Sequence, residues 1–152
     1  MTTELSFMTL DVFTDDAFGG NQLAVYPHAE KLDSAQMQRI ALEMNYSETT
    51  FILPPQNPAY TARVRIFTPT AELAFAGHPN VGTAWALALN PHWIPGLKGT
   101  QRMAFEQLAG VVDIDLELSL IHISEPTRQE ASAYGVVWVE KKRGGGGGGG
   151  GG

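Results

Sequence analysis

The run Gly77-His78-Pro79-Asn80 leading into Val81–Leu89 limits the possible folds of this chain more than any other segment. Val81, Ala84, Trp85 and Ala88 recur at helical spacing, and Pro79 sits where a first-turn proline is tolerated. The side chains of this helix are mostly small, so its neighbours can approach closely. Gly77 lets a backbone or a ligand come near. The first amides of such a helix have no acceptor within it, so its start is suited to an anion such as a carboxylate.

The rest of the chain supplies strands around one further helix. Ser6–Phe13 reads as a strand, followed by a Gly19-Gly20-Asn21 turn and a second strand over Leu23–Tyr26 that Pro27 ends. Asp33 with Gln36 forms a capping box. Met37, Ile40, Ala41 and Met44 then fall on one face of an amphipathic helix that stops at Asn45. Thr49–Leu53 is β-prone and closed by Pro54-Pro55. In Tyr60–Phe67, Ala62, Val64 and Ile66 alternate with Arg63 and Arg65, the pattern of a half-buried strand. Glu72–Phe75 makes a short strand, and Met103–Gln107 with Val111–Glu117 a hairpin around Ala109-Gly110. Strands, helix, strands, helix, strands is an α+β order.

Two segments combine an acid and an imidazole. Glu48 follows a helix end and precedes an apolar strand, so it is either a solvated turn residue or a carboxylate at the edge of a cleft that serves as a general acid/base. His78 is either a capping residue or a ligand and proton-transfer group beside the anion-receptive helix. Asn21 shapes a cleft floor or only a turn, and Ser47 is a partner of the site or a polar loop residue. His28, His92 and His122 lack metal-ligand spacing with one another or with carboxylates, and no dinucleotide or P-loop fingerprint is present. No metal or cofactor is therefore expected.

Taken in order, Asp11-Val12-Phe13-Thr14, Phe18-Gly19-Gly20-Asn21-Gln22-Leu23-Ala24-Val25, Ser47-Glu48-Thr49-Thr50-Phe51, Arg65-Ile66-Phe67-Thr68-Pro69 and Ala76–Ala84 resemble the N-terminal half of the PhzF (phenazine biosynthesis-like) family. The resemblance covers roughly Leu5–Glu117. It implies a diaminopimelate-epimerase-like half, a curved mixed β-sheet wrapped around the Val81–Leu89 helix. It also implies that Glu48 is catalytic and that His78, Gly77, Asn21, Ser47 and Gly82 bind substrate. The implied activity is a cofactor-independent isomerisation of a trans-2,3-dihydro-3-hydroxyanthranilate-like cyclic carboxylate, by proton transfer with a double-bond shift. Alternatives are an epimerase or racemase of the same fold, or a non-catalytic small-acid-binding or self-association domain. The chain has no cysteine, which separates it from the two-cysteine racemases of the related fold. Family members carry a second half with an Asp-Pro-x-Thr-Gly-Ser-Ala-like motif facing the first across the cleft; that motif is absent from this sequence. The intact parent is expected to be a homodimer.

The last part of the chain has another character. Leu118–Arg128 matches, codon for codon, an in-frame translation of a transposase-type sequencing adapter, and Gly144–Gly152 reads as a translated poly-G read end, the alternative being a natural glycine-rich linker. Residues 1–117 are accordingly expected to form the domain and 118–152 an artefactual, disordered tail. Ten of the seventeen glycines lie after residue 128, so composition must be read without them. Residues 1–117 carry a net charge of −7 and the remainder +1. An acidic chain without basic clusters has no electrostatic footprint for nucleic acid or an anionic membrane. Met1-Thr2-Thr3-Glu4 has neither the basic start nor the apolar run of a secretory signal, and a cytoplasmic location is expected.

Overall fold

The computed structural model describes residues 4–12, 20–97, 102–116, 121–124, 132–135 and 137–138. Strand β1 (Met8–Val12) pairs antiparallel with β2 (Asn21–Tyr26), placing Leu10 opposite Leu23. Helix α1 (Ser34–Met44) carries the chain over to β3 (Glu48–Leu53), which lies parallel to β2. β4 (Ala62–Phe67) returns antiparallel to β3 and also pairs with the two-residue β5 (Glu72–Leu73). After helix α2 (Gly77–Leu89) and a single 3₁₀ turn at Pro91–Trp93, β6 (Arg102–Gln107) runs parallel to β4, and β7 (Gly110–Leu116) folds back on β6. Three short strands follow: β8 (Ile121–Ser124), β9 (Ser132–Gly135) and β10 (Val137–Trp138).

The strand order is β10-β1-β2-β3-β4-β6-β7-β8-β9, with β5 to one side on β4. The two ends of that path, β9 and β10, are neighbours in sequence, so the mixed sheet must curl round almost onto itself. What it curls around is α2, which touches β1, β2, β3, β7, β8, β9 and β10. A helix enclosed in this way has to be apolar on nearly every side. Val81, Ala84, Ala86 and Leu87 are fully buried and pack with Leu10, Leu23, Ile52, Val64, Phe105 and Ile114. The expected α+β class and the central-helix architecture are what the chain adopts.

Gly82 explains how α2 fits. A Cβ at this position would lie 2.4 Å from Leu23 Cδ2 and 3.0 Å from Val12 Cγ2. The helix backbone therefore rests directly on β1 and β2.

Helix α1 covers the outer face of the sheet. Asp33 and Gln36 form the expected capping box (Gln36 N–H to Asp33 Oδ1 2.8 Å, Asp33 N–H to Gln36 Oε1 3.0 Å), and Asn45 ends the helix in the left-handed region at φ 53°. Met37 and Ala41 are buried against Ala24, Tyr26, Phe51 and Phe67. Phe7, Tyr26 and Phe51 stack with centroids 5.3 and 5.2 Å apart, and Phe67 meets Phe51 edge-on. Arg65 caps this face: its guanidinium holds Glu72 through two 2.8 Å bonds, donates to Ser34 at 2.9 Å and lies 5.3 Å over the Phe67 ring.

Several boundaries differ from the sequence-based expectation. α2 starts at Gly77, two residues before Pro79, because Ala76 is already extended (φ −154°) and serves as the N-cap. The β6–β7 turn is Leu108-Ala109, with Gln107 opposite Gly110, so Gly110 opens β7 at φ 126°. Within the segment expected as a tail, residues 121–124, 132–135 and 137–138 are described and pair as short strands: β8 with β7, β9 with β8, and β10 with β1. The edges of β7 and β1 offer backbone donors and acceptors that any extended segment satisfies, whatever its side chains. The poly-glycine run lies outside the described residues, as does Phe13–Gly19.

Candidate active site

β3 places Glu48. Two residues after Asn45 turns the chain out of α1, Glu48 opens the strand, and strand alternation sends Glu48, Thr50 and Ile52 to one face. That face looks at α2, since Ile52 packs in the same core cluster as Val81, Ala84 and Leu87. Thr50 Oγ1 and Thr83 Oγ1, both buried, lie 2.8 Å apart and form a hydroxyl bond between β3 and α2. One strand repeat before Thr50, and at the start of the helix, Glu48 Oε2 is 2.5 Å from His78 Nε2. Their side chains are 14% and 12% exposed, withdrawn from bulk water but reachable.

His78 is the second residue of α2. The N-cap, Ala76, has no side-chain hydrogen bond to the first turn. The amides of Ala76, Gly77 and His78 have no acceptor within the helix, and Pro79 carries no N–H at all. The positive end of the helix dipole therefore sits beside the acid–imidazole pair and favours negative charge there. A Cβ built on Gly77 meets nothing within 4 Å, so the space over this turn is open. The arrangement can hold a small anion on backbone N–H groups while a carboxylate and an imidazole in contact move a proton on it.

The remaining candidates are placed unevenly. Asn21 opens β2 two residues before Leu23, which pairs with Glu48, so it lies at the same end of the sheet and is exposed. Ser47 is exposed in the turn leading into β3. Gly82 lies in the second turn, beyond the amides without intrahelical acceptors, and is buried against Leu23 and Val12, where it lets the helix pack closely.

Sequence reasoning missed two pairs that involve the motifs it quoted. One is Thr50 with Thr83. The other is Asn80 with Gln107, whose side-chain amides bond reciprocally (Asn80 Nδ2 to Gln107 Oε1 3.3 Å, and Gln107 Nε2 to Asn80 Oδ1). A polar residue on an otherwise apolar helix was the available signal in both cases. A cavity of about 220 Å³ lined by Gln56, Arg63, Arg65 and Glu106 lies where β4 and β6 diverge, away from Glu48. Among the described residues no group of His, Asp and Glu is arranged to hold a metal, and no helix is long and apolar enough to cross a membrane.

Known proteins share this arrangement of sequence and fold. The chain is 44% identical over 112 residues to a trans-2,3-dihydro-3-hydroxyanthranilate isomerase of Pseudomonas fluorescens, an alignment covering 74% of this chain and 37% of that enzyme. The crystal structure of a Bacillus anthracis phenazine biosynthesis protein of the PhzF family superposes with a TM-score of 0.72 at 28% identity, over 80% of this chain and 40% of that one. A hydroxyproline epimerase from Agrobacterium vitis shares the fold alone (TM-score 0.55, 15% identity, 78% of this chain and 41% of that one). The chain thus spans well under half the length of the relatives it matches. The family model for phenazine biosynthesis-like proteins matches residues 10–135, which runs past Glu117. The chain belongs to the phenazine biosynthesis-like (PhzC-PhzF) family.

Proposed function

We propose that this chain is a fragment of a cofactor-independent isomerase that moves a proton, and with it a double bond, on a small cyclic carboxylate. The 2.5 Å contact of Glu48 with His78 at the open start of α2 carries this reading. The substrate carboxylate would sit on the first α2 amides, with its ring against the acid–imidazole pair. Glu48 would take a proton from one ring carbon while the electron pair left behind shifts the double bond. The same carboxyl would then return the proton to another carbon, so the reaction is balanced without metal or redox group. A trans-2,3-dihydro-3-hydroxyanthranilate-like substrate is the specific proposal, supported by the 44% identity to an enzyme of that name.

The test uses a restored full-length parent in deuterated water. Glu48→Gln is isosteric but removes the base, so binding should persist while exchange of the substrate's labile proton falls at least ~100-fold. Exchange at the parental rate in Glu48→Gln would sink the assignment. Stereochemical inversion without a double-bond shift would replace it with an epimerase.

A further inference from the structure

We propose that the Asn80–Gln107 amide pair is a positioning device: it fixes the first turn of α2 from the side opposite Glu48 and so sets the His78–Glu48 contact. The proposal rests on the reading of Glu48 and His78 as the working pair. Asn80 is fully buried, and it follows His78 by two residues, roughly 200° around the helix. The turn is thereby held on one side by Glu48 and on the other by Gln107. A buried amide that exchanges two hydrogen bonds with another amide admits essentially one geometry, and either partner left alone would be unsatisfied.

Gln107 is suited to this role because the end of β6 is itself tied down. Its neighbour Glu106 accepts hydrogen bonds from Gln56 N–H at 2.9 Å and Asn57 N–H at 2.7 Å. Ala104 N–H donates to Thr61 Oγ1 at 3.0 Å, and Thr61 N–H to Ala104 O at 2.9 Å. Beyond Gln107, Ala109 N–H donates to Ala74 O at 3.2 Å, which fixes the segment just before the helix. The β6–β7 hairpin thus grips both the first turn of α2 and its approach. The N-cap Ala76 supplies no side-chain bond of its own, so this grip stands where a Ser or Asp cap would normally anchor the turn.

The experiment is NMR on the isotopically labelled 152-residue chain, reading the Overhauser contact between the His78 ring and the Glu48 side chain. Gln107→Leu keeps size but removes both bonds. It should weaken that contact at least about twofold, a displacement of roughly 0.5 Å, while the Tyr26–Phe51 contacts stay as they are. Gln107→Glu, which still accepts from Asn80 Nδ2 but cannot donate to Asn80 Oδ1, should restore only part of the contact. Val112→Ala, a core truncation on β7, should lower stability without weakening it. If Gln107→Leu does not fold, Gln107→Asn, one methylene shorter, is read by the same criterion. A folded Gln107 variant with the contact unchanged overturns the proposal, as does an equal loss in Val112→Ala. Because the readout is a contact in the resting chain, failure of Glu48-dependent proton exchange in the parent would remove the functional reading and leave this result untouched.

Discussion

Gly82 and Gly77 show how the same residue serves opposite purposes five positions apart. An added Cβ at Gly82 would press on Leu23 and Val12, both fully buried, whereas at Gly77 it would meet open space. Overpacking of this kind costs about 1–3 kcal/mol, against about 1 kcal/mol gained from the better helix propensity of alanine. Gly82→Ala should therefore destabilise the chain in urea unfolding, and Gly77→Ala should leave stability level or raise it. Equal effects would refute the packing account of Gly82. Tyr26 gives a second test at this scale. Burial in the Phe7–Phe51 stack, followed by the nearby Tyr46, pushes its phenol up to about 12. Its folded value lies above the unfolded one, so the stability it contributes is fully present below pH 10 and is lost as pH rises toward 12. Absorbance titration should show one tyrosine ionising late, with unfolding in that window; Tyr26→Phe should remove the late step.

Between elements, the link that matters most for the site joins β3 to α2. Thr50 and Thr83 share one buried hydroxyl bond, so Thr83→Val leaves the Thr50 hydroxyl without a partner at a cost of about 1–3 kcal/mol. Replacing both with valine removes the need for a partner. The double variant should be more stable than the sum of the two single losses implies, a coupling read from a double-mutant cycle by chemical denaturation. Strict additivity would mean the bond is not formed. The legibility of the sequence divides along the same line. Periodicity alone located α1, down to its Asp33–Gln36 box and Asn45 stop, and the alternation of Ala62, Val64 and Ile66, because those signals are local. The curl of the sheet around α2 came only through family resemblance, since no local pattern encodes which strands meet. Glu48 and His78 were named for the same reason, and the structure brings them together. The close packing at Gly82 and the pairing of Asn80 with Gln107 were missed, because both depend on neighbours 27 to 70 residues away in the chain.

On the scale of the whole molecule, the question is what a chain spanning 37–40% of its relatives' length can do by itself. The curled sheet closes around α2 only with β8, β9 and β10, which lie in the segment expected from the sequence to be an artefactual tail. Backbone pairing does not depend on which side chains such strands carry, so foreign sequence can occupy those edges without contributing to the chemistry. Removing residues 118–152 should then uncover β7 and β1 and promote association, visible as a concentration-dependent mass in sedimentation. Removing only 144–152 should change nothing, because glycine contributes no side chain to bury and is entropically costly to order. Activity follows from enclosure. Proton transfer from carbon needs a substrate held in place and shielded from water, and the turn above Gly77 is open in this chain. The purified 152-residue chain should therefore show no turnover of trans-2,3-dihydro-3-hydroxyanthranilate while retaining weak, salt-sensitive binding of anionic analogues at the α2 amides. Turnover near the rate of a full-length relative would show that the Glu48–His78 pair and the start of α2 are sufficient by themselves.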